Sequence, residues 1–161
     1  MIETKTIAEP GPGQVQEIID RHRGQKWALI PLLQKIQEAF GYIPAGAVRP
    51  IAASLGLFPS QVQGVITFYS QFYTTPRGQH IVRVCRGTAC HVRGSKTILK
   101  LARQRLGIKE NETTPDYKYS LETVACIGCC ALAPNMVVGN TIYGKLNPKK
   151  LTAIFDQYEE R

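Results

Sequence analysis

Cysteine is the residue type whose spacing in this sequence most directly suggests chemistry. The chain has 161 residues and five cysteines, and four of the five fall into two close pairs. Cys85 and Cys90 form a C-x4-C pair, and Cys126 and Cys130 form a C-x3-C pair. Cys129 lies directly before Cys130 in the stretch CIGCC. In a reducing compartment, cysteines clustered in this way indicate metal ligands or redox centres before structural disulfides.

Three uses of these cysteines compete. Structural zinc favours two C-x2-C pairs about 15–20 residues apart. The wider spacing of the first cysteine pair and the longer gap between the pairs therefore disfavour zinc. They do not exclude it, because Cys126 and Cys129 form a C-x2-C. A thioredoxin-type dithiol prefers a helix N-terminus, and Pro134 leaves little room for a helix after CIGCC. A [2Fe-2S] cluster needs four thiolates and is compatible with C-x4-C. A Rieske centre would need two histidine ligands, and none of the three histidines is placed for that role.

The residues between the cysteines favour a cluster. Gly87 and Gly128 stand where a backbone that passes close to an inorganic core would need glycine. Thr88 and Ala131 are small and leave room beside the sulfurs. Each glycine alone indicates an ordinary turn, but the repetition beside both pairs favours a functional role.

The next group of expectations concerns the segment that follows Cys90. We expect Cys90 to begin a helix, so that free N–H groups and the positive end of the helix dipole favour a negative cluster. Arg86 and His91 adjoin the cysteines and are expected to tune a cluster or attract an acidic partner.

The elements that must position the cysteines fall into two halves. In the first half, apolar residues follow helical spacing over 13–24 and over 26–41. Two short helices separated by the turn GLFPS come next, and the second of them starts near Ser60. Gly41 supplies a helix stop. Tyr69 is expected on the buried face of the last helix, and Trp27 and the TFYSQFY aromatics in the core or in a subunit contact.

The second half begins after the turn-rich segment TTPRGQ, and its pattern predicts the order β-α-β-β-β-α. Strands are predicted over 80–85 and 117–126, each ending at a cysteine pair, and a helix over 91–107 with Val92 facing inward. Two short strands should form a hairpin about Gly139-Asn140. A last helix should begin at Pro148, with Asn147 as its cap. Strand ends that meet at one edge of a sheet would bring the cysteine loops together.

These elements predict an α+β fold with two domains. Residues 1–76 comprise an N-terminal leader and a helical bundle, and residues 77–161 form an α/β domain that carries the cysteines.

The segments CRGTACHVRGS and VACIGCCALAPNMVVGNTIYGKL together resemble the thioredoxin-like [2Fe-2S] ferredoxin family, to which the E-type subunit of NADH:quinone oxidoreductase belongs. The family includes the small subunits of NAD(P)-linked and electron-bifurcating hydrogenases and of NAD-dependent formate dehydrogenases. The resemblance covers nearly the whole chain, because GYIPAGAVRPIAASLGLFPSQVQGVITFYSQF is similar to the helical bundle of that family.

The resemblance implies one [2Fe-2S] cluster with Cys85, Cys90, Cys126 and Cys130 as ligands, and it leaves Cys129 as an extra. It implies a thioredoxin-like fold for 77–161 and an electron-transfer subunit docked through its bundle on a larger Fe-S subunit that binds FMN and NAD(P)H. This chain would then have no hydride-transfer site, and it contains no G-x-G-x-x-G segment.

Composition leaves the class of partner open, because the net charge of +8 suits nucleic acid, an anionic membrane or an acidic protein. Our first alternative is a redox-sensing DNA-binding regulator with a helix-turn-helix over 51–69, although its second helix offers no Arg or Lys to DNA. A second alternative is a zinc-stabilised adaptor. We expect no nucleic-acid partner. We also expect no membrane insertion, since no apolar run approaches about 20 residues. The protein is expected to be cytoplasmic and at most peripheral to a membrane through its complex.

Overall fold

The computed structural model describes residues 12–22 and 24–159. The leader expected before residue 12 lies outside the described residues. The chain divides into two compact units, the first ending at Arg77 and the second beginning at Gly78.

The first unit is a helical bundle. Its α-helices are α1 (Pro12–Asp20), α2 (Leu29–Phe40), α3 (Val48–Leu55) and α4 (Pro59–Phe68). Glycines end two of them, as expected for Gly41, which takes φ 80° after α2, while Gly56 takes φ 63° after α3. The core is mainly aliphatic and includes Ile19, Leu33 and Ile51.

Several aromatic residues of this unit face solvent. The expectation that Tyr69 lies on the buried face of α4 is wrong, because Tyr69 follows the last residue of the helix in an extended conformation and is 36% exposed. Trp27 and Phe68 are 78% and 80% exposed, so neither belongs to the core. Phe72 is buried, so this aromatic residue of TFYSQFY lies in the core, which was one of the two places expected for it.

The second unit has a four-stranded mixed sheet with helices. Its strands are β1 (His80–Cys85), β2 (Tyr119–Val124), β3 (Met136–Val138) and β4 (Thr141–Tyr143), and its helices are α5 (Thr88–Val92), α6 (Ser95–Leu106) and α7 (Pro148–Glu159). The strand order is β2-β1-β3-β4, with β1 parallel to β2 and antiparallel to β3. The core is formed by residues of β1, β2, β3, α6 and α7. The predicted α+β class is confirmed, and the strands and the last helix follow the predicted order, but two helices, α5 and α6, replace the single helix predicted between β1 and β2.

Two local predictions in this unit are confirmed. β3 and β4 pair as a hairpin about Gly139, which takes φ 59°. Asn147 caps α7, because its Oδ1 accepts a 2.9 Å hydrogen bond from the backbone N–H of Lys150.

The helix predicted over 91–107 is instead two helices. Gly94 takes φ 92° between α5 and α6, a conformation that interrupts the helix and favours glycine. Val92 therefore does not face inward and is 79% exposed, while Ile98 of α6 is buried as expected. Cys90 lies inside the five-residue α5, so the expectation that it begins the long helix, with that helix's dipole behind it, is wrong.

Candidate metal centre

The two cysteine loops leave the sheet at the same edge. β1 ends at Cys85, and in the parallel pairing Val124 of β2 lies opposite it. The backbone N–H of Arg86 extends this pairing with a 2.8 Å hydrogen bond to the carbonyl oxygen of Val124. The chain then reaches Cys90 from one strand and Cys126 from the other, so the parallel register starts both loops side by side.

One cavity of about 590 Å³ is lined by all four paired cysteines. Cys85 and Cys90 are buried, with 2% and 1% exposure. Cys126 and Cys130 are exposed, and their Sγ atoms lie 4.0 Å apart. The rest of the wall is formed by small residues: Gly87, Thr88, Ala89 and Ala125. The structure thus brings together a buried and an exposed pair of thiols.

Glycine is required at two points of these loops, for different reasons. A Cβ at Gly87 would lie 2.8 Å from the carbonyl oxygen of Ala125, so only glycine lets the first loop approach the second. Gly128 has open space around it but takes φ 89°, and its N–H donates a 3.3 Å hydrogen bond to Cys126 Sγ. Gly87 therefore sets the distance between the loops, and Gly128 turns its N–H toward a sulfur.

The donor set fits a [2Fe-2S] cluster. Such a cluster takes four thiolates, two on each of its irons, and the cavity offers four thiols with small residues between them. In residues 12–22 and 24–159, no three His, Cys, Asp or Glu side chains form a group that could hold a metal ion. A cluster with two irons does not require its four sulfurs to converge on one point.

The thiols differ in how easily they lose a proton. Burial opposes ionisation of Cys85, but a hydrogen bond from the Gly87 backbone, together with other bonds to the same sulfur, lowers its pKa. Burial and the neighbouring Cys85 raise the pKa of Cys90. The hydrogen bond and charge of Cys126 raise the pKa of the exposed Cys130 thiol. Metal binding must therefore displace protons from at least two of the thiols.

Asn135 is a residue of this site that the sequence analysis missed. It is 1% exposed, and its Oδ1 accepts a 3.4 Å hydrogen bond from the Cys90 thiol. Its Nδ2 donates a 2.7 Å hydrogen bond to the carbonyl oxygen of Cys129, and its own carbonyl oxygen accepts one of 3.2 Å from the N–H of Cys85. The available signal was an asparagine between Pro134 and an apolar strand, where a buried polar side chain needs partners.

The two adjacent cysteines of CIGCC are placed differently. Cys130 lines the cavity and begins a one-turn 3-10 helix that ends at Leu132. Cys129 is partly exposed and is not part of the cavity wall, although its carbonyl oxygen is held by Asn135. Ala131, expected beside the sulfurs, is exposed in the 3-10 turn and is also absent from the wall.

A basic residue follows each of the two buried cysteines in the sequence. Arg86 and His91 line a second cavity of about 190 Å³. The Arg86 guanidinium lies 3.4 Å from the carboxylate of Glu110. Arg93 Nη1 donates a 3.4 Å hydrogen bond to the carbonyl oxygen of Ala133. Arg86 and His91, expected beside the cysteines, therefore line a separate cavity and are not part of the wall of the thiol cavity.

Comparison with known proteins agrees with this site. The family model described as thioredoxin-like [2Fe-2S] ferredoxin matches residues 15–159. The NADP-reducing hydrogenase subunit HndA of Solidesulfovibrio fructosivorans is 33% identical over 156 residues, which cover 97% of this chain and 91% of that protein. The E subunit of NADH-quinone oxidoreductase from Escherichia coli (strain K12) is 32% identical over 145 residues, 90% of this chain and 87% of that protein. These findings give no support to a helix-turn-helix regulator or a zinc adaptor.

A solved structure shares the fold. The NAD⁺-reducing [NiFe]-hydrogenase in its H2-reduced state superimposes with a TM-score of 0.68 at 18% identity over 83% of this chain. The match spans 22% of the length of that hydrogenase chain. Within the described residues of our protein, no helix is both long and apolar enough to span a bilayer.

Proposed function

The chain belongs to the thioredoxin-like [2Fe-2S] ferredoxin family, and we propose that it carries one [2Fe-2S] cluster as the electron-transfer subunit of an NAD(P)H-linked oxidoreductase complex. The observation that supports this most directly is the single cavity lined by Cys85, Cys90, Cys126 and Cys130. Relatives from two kinds of complex, a hydrogenase and a quinone oxidoreductase, share this type of subunit.

Each cysteine pair would hold one iron. Cys85 and Cys90 would hold the buried one, and Cys126 and Cys130, with sulfurs 4.0 Å apart, the exposed one. When bound, such a cluster accepts and releases one electron at a time.

The residues of the chain supply the environment of the sulfurs. Backbone N–H groups point at them, as Gly128 does at Cys126 over 3.3 Å. Hydrogen bonds of this kind favour negative charge on sulfur and thereby set the redox potential. The buried pair excludes water, while the exposed pair leaves an edge that a partner can approach.

We assign the nicotinamide chemistry to a larger partner subunit that binds FMN and NAD(P)H. A flavin can take a hydride and pass electrons on singly, so the one-electron site of this chain complements it. The absence of a G-x-G-x-x-G segment in the sequence supports a chain without a hydride-transfer site.

We assign docking on that subunit to the helical bundle. Trp27, Phe58 and Phe68 are 78%, 74% and 80% exposed, and large exposed aromatic side chains are enriched in protein interfaces. Trp27→Ser and Phe68→Ser should weaken copurification with the flavin subunit, whereas Gln63→Ser at another exposed position of α4 should not. Unchanged copurification of both aromatic variants would contradict the assignment.

The experiment that tests the function is anaerobic purification followed by iron and sulfide analysis and EPR. We expect two irons and two sulfides per chain, and an EPR signal that develops when NADH and the flavin subunit are added. One zinc without iron would instead identify a zinc adaptor. Salt-dependent binding of duplex DNA would identify a regulator.

A further inference from the structure

We propose that a basic face beside the thiol cavity is a docking surface for an acidic surface of the flavin-binding subunit, an inference that rests on the proposed function. This basic face consists of Arg86, His91, Lys96, Lys100 and Arg103, which line one cavity of about 190 Å³.

Two other arginines of the second unit, Arg83 and Arg105, have carboxylates close to their guanidinium groups. Arg83 lies 3.1 Å from Glu122. Arg105 lies 2.7 Å from Asp156 and 2.8 Å from Glu159. Arg105 belongs to α6, so the same helix carries a neutralised cation on another face.

The basic face lacks this compensation. Arg86 has Glu110 at 3.4 Å, but no carboxylate of the described residues pairs with Lys96, Lys100 or Arg103. These three occur at i, i+4 and i+7 of α6, where like charges are neighbours and repel. An unneutralised row of this kind costs stability in the free chain, and an acidic partner would remove the cost.

The dimensions of the basic face favour a protein surface over a small anion. Lys96 and Arg103 are seven residues apart, which corresponds to about 10 Å along the helix axis. Lys96, Lys100 and Arg103 are all exposed, so they do not enclose one phosphate-sized ligand. Several carboxylates spread over a surface match this arrangement.

The position of the basic face connects it to electron transfer. Arg86 follows Cys85 and His91 follows Cys90, so the basic face begins at the wall of the thiol cavity. Val92 is 79% exposed next to His91. An apolar side chain with polar groups around it matches the apolar core and polar rim of protein interfaces, and a partner bound there lies next to the cysteines.

Binding of the cluster-loaded chain to the purified flavin subunit tests this surface by biolayer interferometry at about 50 and about 300 mM NaCl. The triple variant Lys96→Glu, Lys100→Glu, Arg103→Glu should raise the Kd at low salt on the order of tenfold or more, mainly through slower association, and should lose the salt dependence. The matched control compares Lys100→Glu with Lys118→Glu, since Lys118 precedes β2 at the far end of the sheet from Cys85. Only Lys100→Glu should weaken binding.

Unchanged EPR spectra and circular dichroism verify that the variants are folded and loaded. Equal Kd values and equal salt dependence for the wild type and the triple variant would overturn the basic face and leave the proposed function intact. Inorganic phosphate that competes more strongly than NaCl of equal ionic strength would show a small-anion site instead. A wild-type chain that neither binds the flavin subunit nor is reduced by NADH through it would overturn both proposals.

Discussion

The side-chain amide of Asn135 donates a 2.7 Å hydrogen bond to the backbone carbonyl oxygen of Cys129. The backbone carbonyl oxygen of Asn135 also accepts a hydrogen bond from the N–H of Cys85, at 3.2 Å. One buried, uncharged residue therefore connects the end of β1 to the loop that contains CIGCC. It fixes the backbone at position 129 without using the cysteine side chain there.

Replacing Asn135 with Ala should loosen this connection. The Cys129 carbonyl oxygen and the Cys90 thiol would both lose their partner in a site where Asn135 is 1% exposed. The free energy of unfolding of the metal-free chain should fall by about 1–3 kcal/mol, measured by anaerobic urea unfolding, and a chelator should remove iron faster. Asn140→Ala, in the exposed turn of the β3–β4 hairpin, is the control. Identical iron release by the Asn135 variant and the wild type would show that Asn135 does not position the loops.

Gly87→Ala should lower the iron content after reconstitution. Its Cβ would lie 2.8 Å from the backbone oxygen of Ala125, so the two cysteine loops must separate. Gly128→Ala meets no atom within 4 Å and should cost only the strain of a positive φ, about 1–2 kcal/mol. Gly64→Ala, also with open space but inside α4, should stabilise the bundle by about 0.5–1 kcal/mol. Full iron occupancy in the Gly87 variant would argue against the close approach as a requirement.

Periodic and turn signals made much of the fold predictable. The Gly139-Asn140 pair lies between two short apolar runs, and Asn147 directly precedes Pro148. Both patterns act locally, so neighbouring residues alone predict the hairpin and the start of α7. The strand character of the segments before both cysteine pairs was also predictable, whereas the parallel pairing of β1 and β2 that starts both loops at one edge is seen only in the fold.

The errors have equally specific causes. Helical periodicity continues across Gly94, and only its φ of 92° shows that the chain turns there and leaves Val92 outside. Asn135 was missed because its partners are a thiol 45 residues earlier, the backbone at the end of β1 and the backbone of Cys129. Contacts of that range have no periodicity along the chain, so they become visible only in the fold.

Tyr119→Phe should make stability less sensitive to alkaline pH. Burial, followed by the charges of Glu159 and Asp116, raises the pKa of Tyr119 to about 12 from its ordinary value of 10. In the unfolded chain the phenol ionises near its ordinary pKa. The contribution of the un-ionised Tyr119 to the stability of the folded chain is therefore complete below about pH 10 and is lost as the pH rises toward 12. Within the described residues its hydroxyl is buried without a hydrogen-bond partner.

At pH 8 the free energy of unfolding of the Phe variant should be at least equal to that of the wild type, because the substitution removes a buried hydroxyl that has no partner within the described residues. By pH 11 the wild type should lose on the order of 1 kcal/mol relative to the variant, measured by urea unfolding at both values. A difference that does not change with pH would contradict the raised pKa of Tyr119.

Cys129→Ser should retain the cluster, whereas Cys130→Ser should lose it or alter its EPR spectrum. The two residues are adjacent, but Cys130 lines the cavity with its Sγ 4.0 Å from that of Cys126, and Cys129 is outside the wall. The bond from Asn135 is to the backbone of Cys129, so serine preserves it. Iron content and the EPR spectrum of the reduced protein measure the effect, and each variant is the control of the other. The opposite result would place the ligands on the C-x2-C pair Cys126 and Cys129, and the assignment of Cys130 would be wrong.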